Sequence, residues 1–185
     1  MAAKLKFVKA GEEHLVRLDL GAGKGAKTPE GFEAWDLVAS PGVRRMDLRA
    51  RWPWKDSSVD EVYCDYVLQY LTGEERVHFA NELHRVLKPG KAAAIIVPHW
   101  CANKAFCDVM VQWPPVAESF FISLSKAWRD AQNYVDRSGL KCNFEFTLGY
   151  GMHAAILPRN NEYQQNAVTF YKEAAQDIHA TVTKI

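Results

Sequence analysis

Short apolar segments, bounded by Gly, Pro, Asp or Ser, recur along the first third of the chain. Their composition and spacing predict four strands, at residues 15–20, 34–38, 43–46 and 59–64. The continuous apolar run at 92–97 predicts a fifth strand that is buried on both faces of a sheet. Residues 141–148 predict a sixth strand, and the alternation of Ile178, Ala180 and Val182 with polar residues predicts a final one.

The clearest helix is predicted at residues 72–88. Thr72 and Glu75 form a capping box, and Lys88-Pro89-Gly90 ends the helix. One apolar stripe contains Val77, Ala80, Leu83 and Leu87. Further helices are predicted at residues 125–137 and from Asn161 onward, the second with a shared face of Tyr163, Ala167, Phe170, Tyr171 and Ala174.

The alternation of strands with loops or helices predicts a single α/β domain over residues 1–185, built on a parallel sheet. Two stretches do not fit this alternation and are predicted to be additions that form a lid or an acceptor site, at residues 98–121 and 149–175. Only ten residues separate Gly25 from Asp36, and Pro29 and Gly31 interrupt them. The first connection is therefore predicted to lack a helix or to contain a shortened one.

Composition excludes several broad classes. The 185 residues are 48% hydrophobic and 24% charged, which is typical of a globular domain and not of a disordered chain. The net charge of +1 provides no general attraction to nucleic acid or to an anionic membrane. We expect a cytoplasmic protein, since the first ten residues lack the apolar core of a signal peptide and no apolar run approaches a membrane span.

The four cysteines do not form a disulfide framework, because they include no close pair. His99, Cys101 and Cys107 offer a weak alternative as zinc ligands, although structural zinc sites use more closely spaced cysteines. Free thiols and no metal are the preferred interpretation.

The strongest local motif is the segment Asp19-Leu20-Gly21-Ala22-Gly23-Lys24-Gly25, which follows the first predicted strand. Glycines at this place let the backbone turn sharply and approach a ligand closely. Gly21, Gly23 and Ala26 also satisfy the dinucleotide fingerprint, and a glycine turn without a ligand is a third possibility. Against a dinucleotide, the interrupted stretch after the glycines leaves little room for the helix that would hold a pyrophosphate. Asp36 and the pair Asp47-Leu48, at the ends of the next two strands, suit the ribose and the adenine of an adenosine cofactor without a pyrophosphate.

These motifs, together with Pro53-Trp54, the segments at 58–62, 67–68 and 82–90, and Ile96-Val97-Pro98-His99, resemble class I S-adenosylmethionine-dependent methyltransferases of the "methyltransferase type 11" group. The resemblance covers about residues 15–99. It implies a Rossmann-like sheet of seven strands, mostly parallel with an antiparallel last strand, and S-adenosylmethionine as cofactor. The cofactor-binding residues that it implies are Asp19, Gly21, Ala22, Gly23, Asp36, Leu37, Asp47, Leu48, Asp65 and Tyr66.

The activity that the resemblance implies is methyl transfer to an unidentified acceptor. By position, His99 is the first candidate for a general base and Tyr66 the second. The alternative, in which His99 shapes the pocket wall or bonds a nearby carbonyl, is preferred to the base role. Aromatic residues make up 12% of the chain, including six tryptophans. Those at 100–121, with Tyr150 and His153, are predicted to form the acceptor pocket and lid. Such a pocket suits a small, partly apolar molecule and a planar base about equally well. Since the chain has no recognisable RNA-binding module and little net charge, we expect a small-molecule acceptor and no nucleic acid. The protein is expected to be a monomer or a homodimer.

Two rival functions stay open. Many relatives carry Glu-His where this chain has Gln69-Tyr70, which is compatible with a catalytically silent protein that binds S-adenosylmethionine. An NAD(P)-dependent oxidoreductase is the second rival, and the interrupted segment after the glycines is the argument against it.

Overall fold

The computed structural model describes residues 15–25, 27–132 and 139–185. The first ten residues, Ala26 of the dinucleotide fingerprint and the predicted helical residues 133–137 lie outside these ranges. Among the described residues the elements follow one another as β1 Arg17–Leu20, β2 Glu33–Asp36, β3 Val43–Arg45, β4 Val59–Asp65, α1 Gly73–Val86, β5 Leu87–Pro98, α2 Glu118–Ser123, α3 Lys126–Ala131, β6 Phe144–Met152, α4 Asn161–Phe170 and β7 Ala175–Lys184. Short 3-10 helices lie at Leu68–Tyr70 and Asn103–Phe106.

Within the described residues, the strands form one sheet in the order β3-β2-β1-β4-β5-β7-β6. The five strands from β3 to β5 are parallel, whereas β7 runs antiparallel to both β5 and β6. The predicted fold class is therefore confirmed. The described residues between β1 and β2 form turns instead of a helix, as predicted from the short and interrupted spacing.

Helix α1 follows its sequence signals closely. The Thr72 hydroxyl accepts from the backbone N–H of Glu75, and the Glu75 carboxylate accepts from the N–H of Thr72, which completes the capping box. Phe79, Ala80 and Leu83 of this helix are buried against the sheet. In contrast, α2 was not predicted from the sequence, and only its Phe121 is fully buried among the described residues of that helix.

The two faces of the sheet have different surroundings. Toward α1 and α2, the face is closed by fully buried apolar side chains such as Val62, Ile95 and Ile178. On the other face, Ala94 of β5 and its register partner Thr181 of β7 are exposed. The prediction that residues 92–97 are buried on both faces is therefore wrong, because alternate residues of β5 stay accessible to solvent.

Tryptophans fill the space between β2, the segment after β3 and α1. Trp35 and Trp52 each make an edge contact with Trp54, with ring centroids 5.2 and 6.1 Å apart, and Trp52 contacts Phe79 in the same way at 5.3 Å. Trp52 is 2% exposed. Since aromatic rings bury large areas with few rotatable bonds, this cluster closes the core where the chain between β3 and β4 has no helix among its described residues.

A charged pair on α1 holds this cluster in place. The Glu82 carboxylate accepts from the backbone N–H of Trp52 at 2.7 Å and from two guanidinium nitrogens of Arg85 at 2.7 and 2.8 Å. Arg85 also donates to the carbonyls of Trp52 and Trp54. The hydrogen bond from Arg85, assisted by that from Trp52 and opposed by burial, lowers the pKa of Glu82 below its usual range.

We expect Glu82→Gln to lower the free energy of unfolding at neutral pH by about 2 kcal/mol, as is typical for losing hydrogen bonds to a partly buried charge. Because the pKa of Glu82 is lowered on folding, its stabilisation is present above the ordinary glutamate pKa and is lost as pH falls through the folded value. Urea unfolding of variant and wild type should therefore differ at pH 7 and converge in acid. Glu145→Gln, at an exposed position of β6, is the matched control and should change little at either pH.

Candidate functional site

The site forms where the carboxyl ends of β1 and β4 approach each other. Gly21 follows β1 directly with a φ of 80°, and an added Cβ would lie 2.1 Å from Cγ2 of Val67. The N–H groups of Gly21 and Ala22 both donate to the carbonyl of Trp35, at 2.8 and 3.1 Å. Residue 21 must therefore be glycine both for its left-handed backbone and for the space that it leaves.

Two adjoining concavities meet at Gly21 and Tyr66, which line both of them. We call the first, of about 450 Å³, the trough, and the second, of about 640 Å³, the main cavity. The trough is lined by Asp19, Gly21, Ala22, Gly23, Lys24, Lys27, Tyr63, Asp65 and Tyr66. The main cavity is lined by Gly21, Asp36, Leu37, Met46, Asp47, Leu48, Arg49, Tyr66, Val67, Tyr70, Leu71, Thr72, Glu75, Asp108, Met110 and Gln112.

All ten residues predicted to bind a cofactor line one or both of these concavities. The lining residues that approach from outside the strand ends were not predicted to belong to the site. Thr72 and Glu75, at the start of α1, were recognised only as a helix cap, and Asp108, Met110 and Gln112 come from the long segment after β5. Hydrophobic periodicity carries no signal for them, because they belong to a helix end and to an irregular connection.

The trough contains a buried carboxylate, Asp19, and a half-buried one, Asp65. Asp19 accepts from the hydroxyl of Thr28 at 2.6 Å, and burial raises the pKa of its carboxyl despite this hydrogen bond. Burial also raises the pKa of Asp65, although the charge of Lys27 opposes the shift. The buried Oδ1 atom of Asp65 has no hydrogen-bond partner among the described residues. A buried carboxylate oxygen without a donor suits a ligand that brings one, such as an ammonium group.

The carboxylates of the main cavity already hold backbone or side-chain donors. Asp36 accepts from the N–H groups of Gly23 at 2.9 Å and Val38 at 3.0 Å, one on each oxygen. Asp47 accepts from two guanidinium nitrogens of Arg49, each at 2.8 Å, and this pairing lowers its pKa. Oδ1 of Asp47 also accepts from the backbone N–H of Arg49 at 3.0 Å, so both of its lone pairs are engaged. The two oxygens of Asp36 and Oδ2 of Asp47 each retain a further lone pair for a ligand hydroxyl or amino group.

The structure places His99 away from both concavities, and it is 1% exposed. Its Nδ1 accepts from the N–H of Cys101 at 3.2 Å, so Nε2 carries the proton and donates to Glu118 at 3.0 Å. Although burial opposes ionisation of Glu118, hydrogen bonds led by that from His99 lower its pKa to about 2. Trp100 and Tyr150 donate to the same carboxylate. Neither ring nitrogen of His99 is available to take a proton from an acceptor in this arrangement.

The aromatic residues of the predicted lid differ in their burial and in their neighbours. Phe121 is fully buried in the core, with Phe120 packed against it. Trp113 is 80% exposed. Trp100 and Phe106 line a groove of about 430 Å³ that we call the aromatic groove, and its wall is completed by α4 and the residues after it. The full lining is Trp100, Cys101, Phe106, Val168, Thr169, Phe170, Tyr171 and Lys172.

No group of His, Cys, Asp and Glu side chains able to hold a metal ion occurs in the part of the chain that the structure describes. The weak zinc alternative on His99, Cys101 and Cys107 has no support there, because the His99 ring nitrogens are engaged as above. No disulfide joins any of the four cysteines. No described helix is long and apolar enough to span a bilayer.

Comparison with known proteins agrees with this geometry. Residues 18–95 match the family model described as a methyltransferase domain. No curated protein matches the chain.

Solved structures share the fold at low sequence identity. A S-adenosylmethionine-dependent methyltransferase from Archaeoglobus fulgidus superposes with a TM-score of 0.60 at 15% identity, over 92% of this chain and 86% of that one. Another, from Mesorhizobium loti, gives a TM-score of 0.51 at 17% identity, over 92% of this chain and 91% of that one. These neighbours confirm the predicted fold class, and together with the domain match they confirm the predicted resemblance.

We expect Gly21→Ala to lower the free energy of unfolding by about 3 kcal/mol or more, since a left-handed alanine costs about 1–2 kcal/mol and overpacking adds a similar amount. Gly42→Ala is the matched control. Its φ of 82° is close to the 80° of Gly21, but an added Cβ would have nothing within 4 Å. Urea denaturation of both variants separates backbone strain from the clash with Val67, and equal losses in the two would contradict the close approach.

Proposed function

We propose that this chain transfers the methyl group of S-adenosylmethionine to a small-molecule acceptor. It has the fold of class I S-adenosylmethionine-dependent methyltransferases, and its residues 18–95 match the methyltransferase domain. The observation that carries the proposal is the pair of concavities that meet at Gly21 and Tyr66. One is lined by the carboxylates of Asp19 and Asp65 and by lysines, and the other by Asp36, Asp47 and apolar residues.

The trough suits the amino acid part of the cofactor. Its α-ammonium group supplies the donor that the unpartnered Oδ1 of Asp65 lacks, with Asp19 as a second acceptor nearby. Its carboxylate is complemented by Lys24 and Lys27, which also line the trough. These lysines provide positive charge where a helix N-terminus would otherwise provide it, since the described residues after the glycine turn form no helix.

The main cavity suits the adenosine part. Asp36 is placed to accept from ribose hydroxyls through the lone pairs that Gly23 and Val38 leave free. Leu37, Met46 and Leu48 offer apolar surface for the adenine ring, and Asp47 an acceptor for its amino group. Arg49 holds the Asp47 carboxylate in one orientation through two hydrogen bonds and so acts as a positioning residue.

The acceptor is proposed to bind on the Tyr66 side, between the main cavity and the aromatic groove. Lys104 lies 5.4 Å from the centroid of the Tyr66 ring, and Phe106, two residues further on, lines the groove. Trp100, Phe106, Phe170 and Tyr171 give this surface the character of a site for a molecule with a flat or apolar part. Segments 98–121 and 149–175 supply these walls, which supports their proposed role as lid and acceptor additions.

S-adenosylmethionine supplies an activated methyl group on a sulfonium, so the residues of this chain need mainly to bind, orient and exclude water. The glycine turn and the strand-end carboxylates fix the cofactor, and Tyr66 and Val67 border the place where the trough and the main cavity meet. We assign His99 a positioning role. Through Glu118 it fixes Trp100 and Tyr150 beside the acceptor segment.

Asp36→Asn should weaken binding of S-adenosylhomocysteine about tenfold, as expected for hydrogen bonds that lose a charged acceptor. Isothermal titration calorimetry of variant and wild type measures the change, with NAD as a second ligand and Asp130→Asn, exposed on α3, as control. The control should match the wild type, and NAD should not bind. Binding of NAD in preference to S-adenosylhomocysteine would contradict the proposal and favour an oxidoreductase.

His99→Gln should leave the shape of the pH–rate profile unchanged, because His99 is buried and does not reach the acceptor. The measurement is transfer of a radiolabelled methyl group to a panel of small amines, phenols, thiols and carboxylic acids, followed by rates over a pH series with the best acceptor. Loss of one limb of the profile would restore the general-base role to His99. Binding of cofactor without a product from any acceptor would favour the silent binding protein.

A further inference from the structure

Tyr66 is held in an unusual conformation at the junction of the trough and the main cavity. Its φ is 60°, a left-handed value that bulky residues rarely adopt. Its N–H donates to the carbonyl of Ile96 at 2.9 Å. Its hydroxyl reaches across the sheet edge to β7, where it donates to Oδ1 of Asp177. A strained backbone at such a place requires strong side-chain anchoring.

Asp177 is itself tied to the segment after β5. Lys104, on the 3-10 helix at Asn103–Phe106, places its ammonium group 2.6 Å from the same Oδ1 atom and 5.4 Å from the Tyr66 ring centroid. The positive charge of Lys104 offsets the negative charge of the Asp177 carboxylate. Tyr66 lines both concavities, whereas Asp177 and Lys104 line neither, so the phenol of Tyr66 is the part of this arrangement that faces the cofactor site.

Gly151 makes the room for Asp177. It is the neighbour of Asp177 on β6, and an added Cβ would lie 2.9 Å from Oδ2 of Asp177 and 3.2 Å from Nε2 of His179. At Gly149, two residues earlier on the same strand, an added Cβ would meet only the carbonyl oxygen of His179, at 4.0 Å. A Cβ at residue 151 would therefore clash with Asp177, whereas a Cβ at residue 149 would not contact it.

We propose that Asp177 is a positioning residue that fixes the hydroxyl proton of Tyr66. The phenolic oxygen then presents only lone pairs to the cofactor site. It therefore favours binding of the positively charged sulfonium of S-adenosylmethionine over binding of the neutral thioether of S-adenosylhomocysteine. The inference rests on the proposed function. A hydroxyl whose single proton is engaged can act toward its other neighbours only as an acceptor. An oxygen lone pair attracts a cation more strongly than a neutral sulfur in a partly buried site. Burial and the hydrogen bond to Asp177 both raise the pKa of Tyr66, which keeps the phenol protonated.

The test is the ratio of the dissociation constants of S-adenosylhomocysteine and S-adenosylmethionine, measured by calorimetry. Tyr66→Phe and Asp177→Ala should each lower this preference for the sulfonium about fivefold, the effect of about one hydrogen bond. The double variant should lower it no further, because both changes remove the same interaction. A ratio that stays at the wild-type value in either single variant, or effects that multiply in the double variant, would overturn the inference.

Two further variants keep the test decisive if Asp177→Ala unfolds. Asp177→Asn should retain most of the preference, because Lys104 keeps the amide oxygen turned toward itself and Tyr66. Gly151→Ala, which displaces Asp177, should lower the ratio, whereas Gly149→Ala should not.

A merely structural role would change both dissociation constants equally and leave the ratio constant, which would count against the proposal. Failure of the wild type to bind either compound would overturn the proposed function as well, whereas binding with an unmoved ratio overturns this inference alone.

Discussion

The close approach of β1 and β4 at their carboxyl ends is the constraint on which the site depends. Gly21 turns with a left-handed backbone where a methyl group would overlap Val67. The same turn directs the N–H groups of Gly21 and Ala22 to Trp35 and so joins β2 to the site. Because both concavities share Gly21, a larger residue would separate the parts of the site as well as strain the turn. The chemistry proposed for the trough and the main cavity therefore follows from one glycine and its neighbour.

The aromatic content has two distinct uses. Trp35, Trp52 and Trp54 close the core beside α1, where the described connections between the first strands contain no helices, and the Glu82–Arg85 pair fixes them there. Trp100 and Phe106 instead stay partly exposed along the aromatic groove. A short chain can thus keep a seven-stranded sheet with few helices, because large rigid rings supply the buried area that helices would provide.

The strand pattern, the capping box of α1 and the glycine turn were predictable from the sequence, because each depends on residues close together along the chain. So were the ten residues that line the two concavities, since the carboxyl ends of parallel strands meet at one edge of a sheet. The exposure of one face of β5 was not, because Ala92, Ala94 and Ile96 are apolar whether or not another element covers them. Asp177 was missed for a related reason. The alternation of Ile178, Ala180 and Val182 marks the buried face of β7, and the polar residues between them read only as the solvent side.

The order of the strands has a consequence for how the chain folds. Strand β7, which comes after every other described strand, lies between β5 and β6 and pairs with both. Until residues 175–184 have left the ribosome, β6 has no neighbour in the described sheet, and the exposed backbone of β5 remains an open edge. The hydrogen bond from Tyr66, which follows β4 on the other side of β5, also cannot form before Asp177 of that segment is present. The second half of the sheet therefore forms late and through pairings distant in sequence, which makes its assembly the slow stage of folding and ties completion of the site to the end of synthesis of β7.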